Sequence, residues 1–113
     1  MNRVELAKKL VLEGGEIIRK SIGKEIKVRE KTKNDFVTDI DFKIEKSLTK
    51  EIMSLFPGDS ILGEEGGEYK GVSPYKWLID PLDGTNNFIR GIPHCGIQIA
   101  ICYNDKVIDG FIF

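Results

Sequence analysis

The sequence predicts an α+β fold in which two N-terminal helices pack on a mainly antiparallel sheet. Three observations lead there. Two long stretches in the first half repeat apolar residues at helical spacing. Short apolar runs bounded by Pro, Gly and Asp follow them. The C-terminal stretch reads as a β-hairpin.

Residues 3–22 form the first expected helix. Val4, Ala7, Leu10, Val11, Ile18 and Ile22 recur at helical spacing, with Lys and Glu between them. Gly14 and Gly15 interrupt the pattern, although small residues also permit close packing. Gly23 reads as the stop. Residues 24–30 alternate apolar and charged side chains, as a half-exposed strand would. Lys31-Thr32-Lys33-Asn34 reads as a polar loop. Asp35-Phe36-Val37 leads to Thr38, an N-cap residue, and Asp41 stands three residues later in a capping-box position. Ile44, Leu48, Ile52 and Leu55 stripe the second helix, which Pro57-Gly58 ends.

Ser60-Ile61-Leu62 is a short expected strand, followed by the acidic, flexible loop Gly63 to Glu68. Pro74 precedes the strand Tyr75 to Ile79. A short helical turn is expected near Phe88, then the loop Gly91-Ile92-Pro93. Residues 95–103 and 106–113 pair as the hairpin, turning at Asn104-Asp105. The last residues, Gly110-Phe111-Ile112-Phe113, lie inside an apolar strand, whereas termini are usually polar and frayed. The chain is therefore read as the front portion of a longer protein.

Bulk properties narrow the function classes. The 113 residues are 41% hydrophobic and 31% charged, as in a water-soluble globular domain. A net charge of -1 implies no general attraction to nucleic acid or to membrane surfaces. No apolar run approaches the ~20 residues of a membrane span. The N-terminus, with Arg3, Glu5, Lys8 and Lys9, lacks the apolar segment of a signal peptide. Cys95 and Cys102 fall on opposite faces of one expected strand and read as buried thiols of a cytoplasmic protein. His94 is the only histidine, which gives no zinc pattern and leaves it a structural or loop role.

The chemistry concentrates in Asp80-Pro81-Leu82-Asp83-Gly84-Thr85-Asn86-Asn87. A buried strand, Trp77-Leu78-Ile79, delivers two carboxylates to what reads as a turn. Pro81 fixes its own φ and Gly84 permits a positive one. Thr85, Asn86 and Asn87 favour a helix start. Carboxylate oxygens suit hard divalent cations, and helix N–H groups suit phosphate. The bland alternative is a surface turn, since Asp, Pro, Gly and Asn are ordinary turn residues. Two further acidic stations weigh against it: Asp35, Asp39 and Asp41 near the start of the second helix, and Glu64-Glu65 after the third apolar run. Asp41 could be only a capping acid, and Glu64-Glu65 only a solvated loop. Carboxylates gathered at one sheet edge, however, repel unless a cation compensates them.

Three segments resemble the inositol monophosphatase family of Mg²⁺-dependent phosphomonoesterases. They are Asp35-Phe36-Val37-Thr38-Asp39-Ile40-Asp41, then Gly63-Glu64-Glu65, then Trp77 to Thr85 with Asn87-Phe88. The resemblance covers the whole chain but about the first half of a family member. It implies the front part of a layered αβα sugar-phosphatase fold, with residues 1–113 as the N-terminal metal-binding domain. It implies Glu64, Asp80, the Leu82 carbonyl and Asp83 as metal ligands. Catalytic roles follow for Thr85 and Asp41, which would orient the attacking water, for Glu65 near a further metal, and for Lys31, with Lys33 competing. Glu64, Asp83, Gly84 and Thr85 would contact substrate. The cofactor implied is Mg²⁺, two or three ions, with Mn²⁺ as substitute. The attack would be direct, with no phosphoenzyme.

The substrate implied is a small phosphorylated sugar or polyol, foremost myo-inositol monophosphate. Fructose-1,6-bisphosphatase and 3′(2′),5′-bisphosphate nucleotidase activities share these motifs. A homodimer is also implied. The sequence departs from the family at Asn86, where many members carry Thr, and it lacks the family's later Trp-x-x-x-Asp segment. A catalytically incomplete fragment or binding module is therefore the competing expectation. Some family members also act in RNA-related regulation through protein partners.

Overall fold

The computed structural model describes residues 1–113. Its elements in chain order are α1 (Arg3–Ser21), β1 (Val28–Thr32), β2 (Asp35–Thr38), α2 (Asp39–Leu55), β3 (Ser60–Gly63), β4 (Gly67–Tyr69), β5 (Tyr75–Asp83), α3 (Thr85–Ile89), β6 (Gly96–Tyr103) and β7 (Lys106–Ile112). Five strands form one sheet in the order β4-β3-β5-β6-β7, parallel only between β3 and β5. β1 and β2 form a separate antiparallel hairpin. The α+β expectation holds, as does the mainly antiparallel sheet. No helix is long and apolar enough to cross a membrane.

Both long helices cover one face of the sheet. α1 lies against β6 and β7, and α2 lies against β5. Strand register aligns the apolar rows Ile61-Trp77-Ile101 and Ile79-Ile99 beneath them, and all five residues are buried. Leu6, Leu10, Ile44, Leu48 and Ile52 fill the helix side of this core. Leu62, Leu78, Ala100 and Gly110 pair in register on the opposite face, which the helices leave open.

α1 runs unbroken through Gly14 and Gly15. The two glycines bring the helix onto the sheet: a Cβ at Gly14 would overlap the Ile97 side chain, and one at Gly15 the Phe113 ring. Its N-cap is Asn2, in a capping box with Glu5 that the sequence reading did not identify. The expected box of Thr38 with Asp41 is present at the start of α2. Leu55, expected on the buried stripe, is half exposed because the helix ends there.

Four segments depart from expectation. The first strand lies at Val28–Thr32 instead of residues 24–30, and all five of its residues are exposed because the hairpin stands off the main sheet. Asp35–Thr38 is its partner strand, so the expected loop at Lys31–Asn34 shrinks to a turn in which Asn34 has φ 62°. The acidic loop after β3 is a tight turn into β4 (Gly67 pairs with Gly63). Finally, β5 continues through Asp83, so Asp80 to Asp83 is a bulged strand end and not a turn.

Candidate functional site

β3 and β5 run parallel, so their carboxyl ends share one edge of the sheet, with Gly63 level with Ile79. Glu64 is the first residue past β3, and its N–H donates to the Ile79 carbonyl at 3.2 Å. That bond carries Glu64 alongside Asp80. The two carboxyl groups meet, and the contact pushes the Glu64 pKa up to about 7. Burial adds to the shift, and Lys31 opposes it. Half of the Glu64 side chain remains in solvent, so the neighbouring carboxylate is the main cause. Two carboxyl groups in contact hold a shared proton or a cation.

Lys31 reaches this pair from β1. Its ammonium lies 2.9 Å from Glu65 and 3.9 Å from Glu64. The Glu65 side chain is 4% exposed and the Lys31 side chain 25%, so the pair is shielded from the glutamate side and open to solvent on the lysine side. The hydrogen bond to Glu65 raises the Lys31 pKa, with burial working against it. Lys33, the competing lysine, sits in the hairpin turn.

A second group forms around Asp41. Thr38 Oγ1 donates to Asp41 Oδ2 at 2.6 Å, and the Thr38 N–H donates to the same oxygen at 2.9 Å. Asp41 is 1% exposed, and burial raises its pKa while the bonds from Thr38 lower it. Thr85 Oγ1 lies 3.4 Å from Asp41 Oδ1 and 3.0 Å from the Leu82 carbonyl oxygen. A hydroxyl has one proton to donate, so these two acceptors compete for it. Thr85 thus links Asp41 to the end of β5.

The predicted residues do not all converge. Asp80 and Asp83 were expected to face one point. Asp80 turns to Glu64 and also accepts the Leu82 N–H at 3.3 Å. Asp83 is exposed, and its Oδ2 accepts from Gln98 Nε2 at 3.1 Å. The register shift pairs Asp80 with Gln98 and Asp83 with Gly96, so Asp83 takes its hydrogen bond from the residue that stands opposite Asp80. No group of three His, Cys, Asp or Glu side chains is close enough to enclose an ion. The sequence reading missed Gln98, and it missed Glu45, whose buried carboxylate holds the turn after β3. A glutamate four residues after Asp41, next to the buried Ile44, was the available signal for the latter.

Gly84 joins β5 to α3 with φ 80°. A Cβ there would lie 2.7 Å from the His94 carbonyl oxygen and 3.2 Å from the Cys95 Cα. Left-handed backbone costs an L-residue ~1–2 kcal/mol, and backbone cannot swing aside as a side chain can. Gly84→Ala is therefore expected to destabilise the chain by about 2–4 kcal/mol. A lower urea midpoint with an unchanged slope would bear this out; an unchanged midpoint would refute it.

Known proteins share this sequence pattern and this fold. The profile described as "Inositol monophosphatase family" matches residues 2–113. The chain is 35% identical over 112 residues to a fructose-1,6-bisphosphatase/inositol-1-monophosphatase of Aquifex aeolicus, covering 97% of this chain and 42% of that protein. It is 38% identical over 109 residues to the Nus factor SuhB of Pseudomonas aeruginosa, covering 92% of this chain and 40% of that one. Among solved structures, an IMPase of Thermotoga maritima superposes with a TM-score of 0.88 at 35% identity, covering 99% of this chain and 44% of that one. The extragenic suppressor protein suhB of Bartonella henselae superposes with a TM-score of 0.92 at 29% identity, covering 97% and 44%. The chain thus spans about two fifths of the length of the curated relatives it matches. The profile match over nearly all its residues, on a fold that sets Glu64 beside Asp80 and Thr85 beside Asp41, leads to one conclusion: the chain belongs to the inositol monophosphatase family.

Proposed function

We propose that this chain carries the front half of a phosphatase site that hydrolyses a phosphate monoester with Mg²⁺ and water. The contact between Glu64 and Asp80 is the observation that supports it most directly. The donors there are oxygens, and two carboxylates in contact fit a hard divalent cation. Glu64, Asp80, the Leu82 carbonyl and Asp83 would hold the metal. When bound, Mg²⁺ offsets the charge of a phosphate dianion and acidifies a water.

The chain's own residues would do the rest. Thr85, held between Asp41 and the Leu82 carbonyl, would take a hydrogen bond from the attacking water and orient its lone pair. Asp41, fixed by two bonds from Thr38, would accept the Thr85 proton and prevent rotation of the hydroxyl. Gly84 and Thr85 would offer backbone N–H groups to phosphate oxygens, since the first turn of a helix leaves such groups without intrahelical partners. Lys31 would hold Glu65 in place.

The substrate read as foremost is myo-inositol monophosphate. Fructose-1,6-bisphosphate and 3′-phosphoadenosine 5′-phosphate follow, because the same groups act on the shared phosphate. Phosphate release by the chain in Mg²⁺ decides among them, with glycerol phosphate as a control for promiscuity. Hydrolysis highest for the inositol ester supports the proposal. A chain inactive on every ester, yet binding the metal, refutes the catalytic reading.

A second reading, a binding module that keeps the fold without turnover, is favoured by one observation. The Asp83 carboxylate is already engaged by Gln98. Calorimetric titration of Mg²⁺ with and without inorganic phosphate separates the two. One ion bound without hydrolysis supports the module.

A further inference from the structure

We infer that Glu45 is a positioning residue: its buried carboxylate clamps the turn after β3 so that Glu64 is presented to Asp80. This rests on the reading of Glu64 and Asp80 as metal ligands given above. Glu45 sits on the second turn of α2 and is 4% exposed. One carboxylate oxygen accepts the Glu65 N–H at 2.9 Å, and the other accepts the Gly66 N–H. No lysine or arginine pairs with it; Lys31, the nearest cation to this turn, is committed to Glu65 and Glu64. A buried carboxylate without a counter-cation is costly unless its oxygens are hydrogen-bonded. Here two successive backbone amides supply those bonds.

The surroundings are shaped for this contact. A Cβ at Gly63 or at Gly66 would overlap the Glu45 carboxyl, so a glycine on each side of Glu64-Glu65 lets the carboxylate approach the backbone. The turn is then held from two directions. β5 takes the Glu64 N–H through the Ile79 carbonyl, and α2 takes the next two amides through Glu45. The Glu64 side chain is half solvated, with only the Asp80 carboxyl and the Lys31 ammonium beside it, so where it stands depends on this backbone. Asp41 lies one helical turn before Glu45 on the same face of α2. A single helix thereby ties down both halves of the site: Asp41 reaches Thr85, and Glu45 reaches the Glu64 turn.

Glu45→Gln separates positioning from mere stability. Glutamine has the same shape but one acceptor, so its NH₂ must face one of the two N–H donors. Mg²⁺ alone is titrated into both proteins by calorimetry, well below their melting temperatures. Amide exchange is read at Glu65 and Gly66 by NMR. The expected results are a loss of Mg²⁺ affinity of about 10–100-fold and faster exchange at those two amides. Unchanged affinity in a folded Glu45→Gln protein overturns the inference, even if the melting temperature falls. If the wild-type chain binds no Mg²⁺, the metal reading fails by itself. The exchange data then decide: lost protection confined to the turn supports the clamp, and unchanged protection refutes it. Should Glu45→Gln not fold, Gly66→Ala tests the same contact by forcing a methyl group against the Glu45 carboxyl.

Discussion

Asp80→Asn is expected to abolish hydrolysis and to lower Mg²⁺ affinity by at least ~100-fold, while the chain remains folded. The change removes one of two carboxylates in contact and keeps its shape. It also alters titration. The folded pKa of Glu64, about 7, stands above its ordinary 4.5, so the folded chain holds a proton that the unfolded chain has released between those values. Without a divalent cation, stability should therefore decline as pH rises from 4.5 towards 7. Asp80→Asn removes the neighbouring charge, returns the Glu64 pKa towards the ordinary range and flattens this decline. Burial of Asp41 and Glu45 raises their pKa values and leaves a weaker slope of the same sign. Melting curves in EDTA across that range, carboxyl NMR titration and phosphate release together check the prediction. Normal turnover by Asp80→Asn would refute the assignment.

Asp59→Ala is expected to cost about 3–5 kcal/mol of stability without altering metal affinity in the folded state. Asp59 precedes β3, at the end opposite Glu64, and is 1% exposed. It accepts from Arg3 Nε at 2.7 Å, Arg3 Nη2 at 2.9 Å, Ser73 Oγ at 2.6 Å and Trp77 Nε1 at 2.9 Å. The Arg3 guanidinium in turn lies 4.4 Å from the Phe56 ring centroid and 3.6 Å from that of Tyr75. This cluster joins the start of α1 to the centre of the sheet. Alanine leaves the buried Trp77 N–H with no acceptor and the guanidinium with no counter-charge. Thermal unfolding by circular dichroism should show a fall in Tm of about 12–20 °C. A fall of only a degree or two would show that the cluster contributes little. Burial alone would raise the Asp59 pKa, but the bonds from Arg3, Ser73 and Trp77 hold it below the usual value. Its contribution is thus present above pH 3.8 and lost as pH falls through the lowered pKa.

The contrast between these two carboxylates shows how far sequence patterns reach. Asp80 announces itself, because it ends an apolar strand and is followed by another acid and a helix start. Asp59 and Glu45 carry no such mark. One follows Pro57-Gly58, and the other sits among helical lysines and isoleucines. Their roles come from groups distant in sequence: Arg3 and Trp77 for Asp59, and the Glu65 and Gly66 amides for Glu45. The β1–β2 hairpin escaped for a related reason. Its first strand, expected over residues 24–30, lies instead at Val28–Thr32 and is wholly exposed, so no burial fixed its register or revealed its partner strand.

Periodicity and punctuation were enough for the helices, the C-terminal hairpin and the acidic stations. Amphipathic spacing records which face is buried, and caps and turn residues satisfy local backbone groups wherever the chain goes. The order β4-β3-β5-β6-β7, the meeting of Glu64 with Asp80, and the turning of Asp83 to Gln98 were not readable in this way. They depend on strand pairing and on a bulge, which are set by contacts between segments and not within them. The sequence by itself determined the chemical kinds present, carboxylates at strand ends beside a threonine. Tertiary structure alone decided which carboxylates come together, because that depends on distances between side chains from different strands.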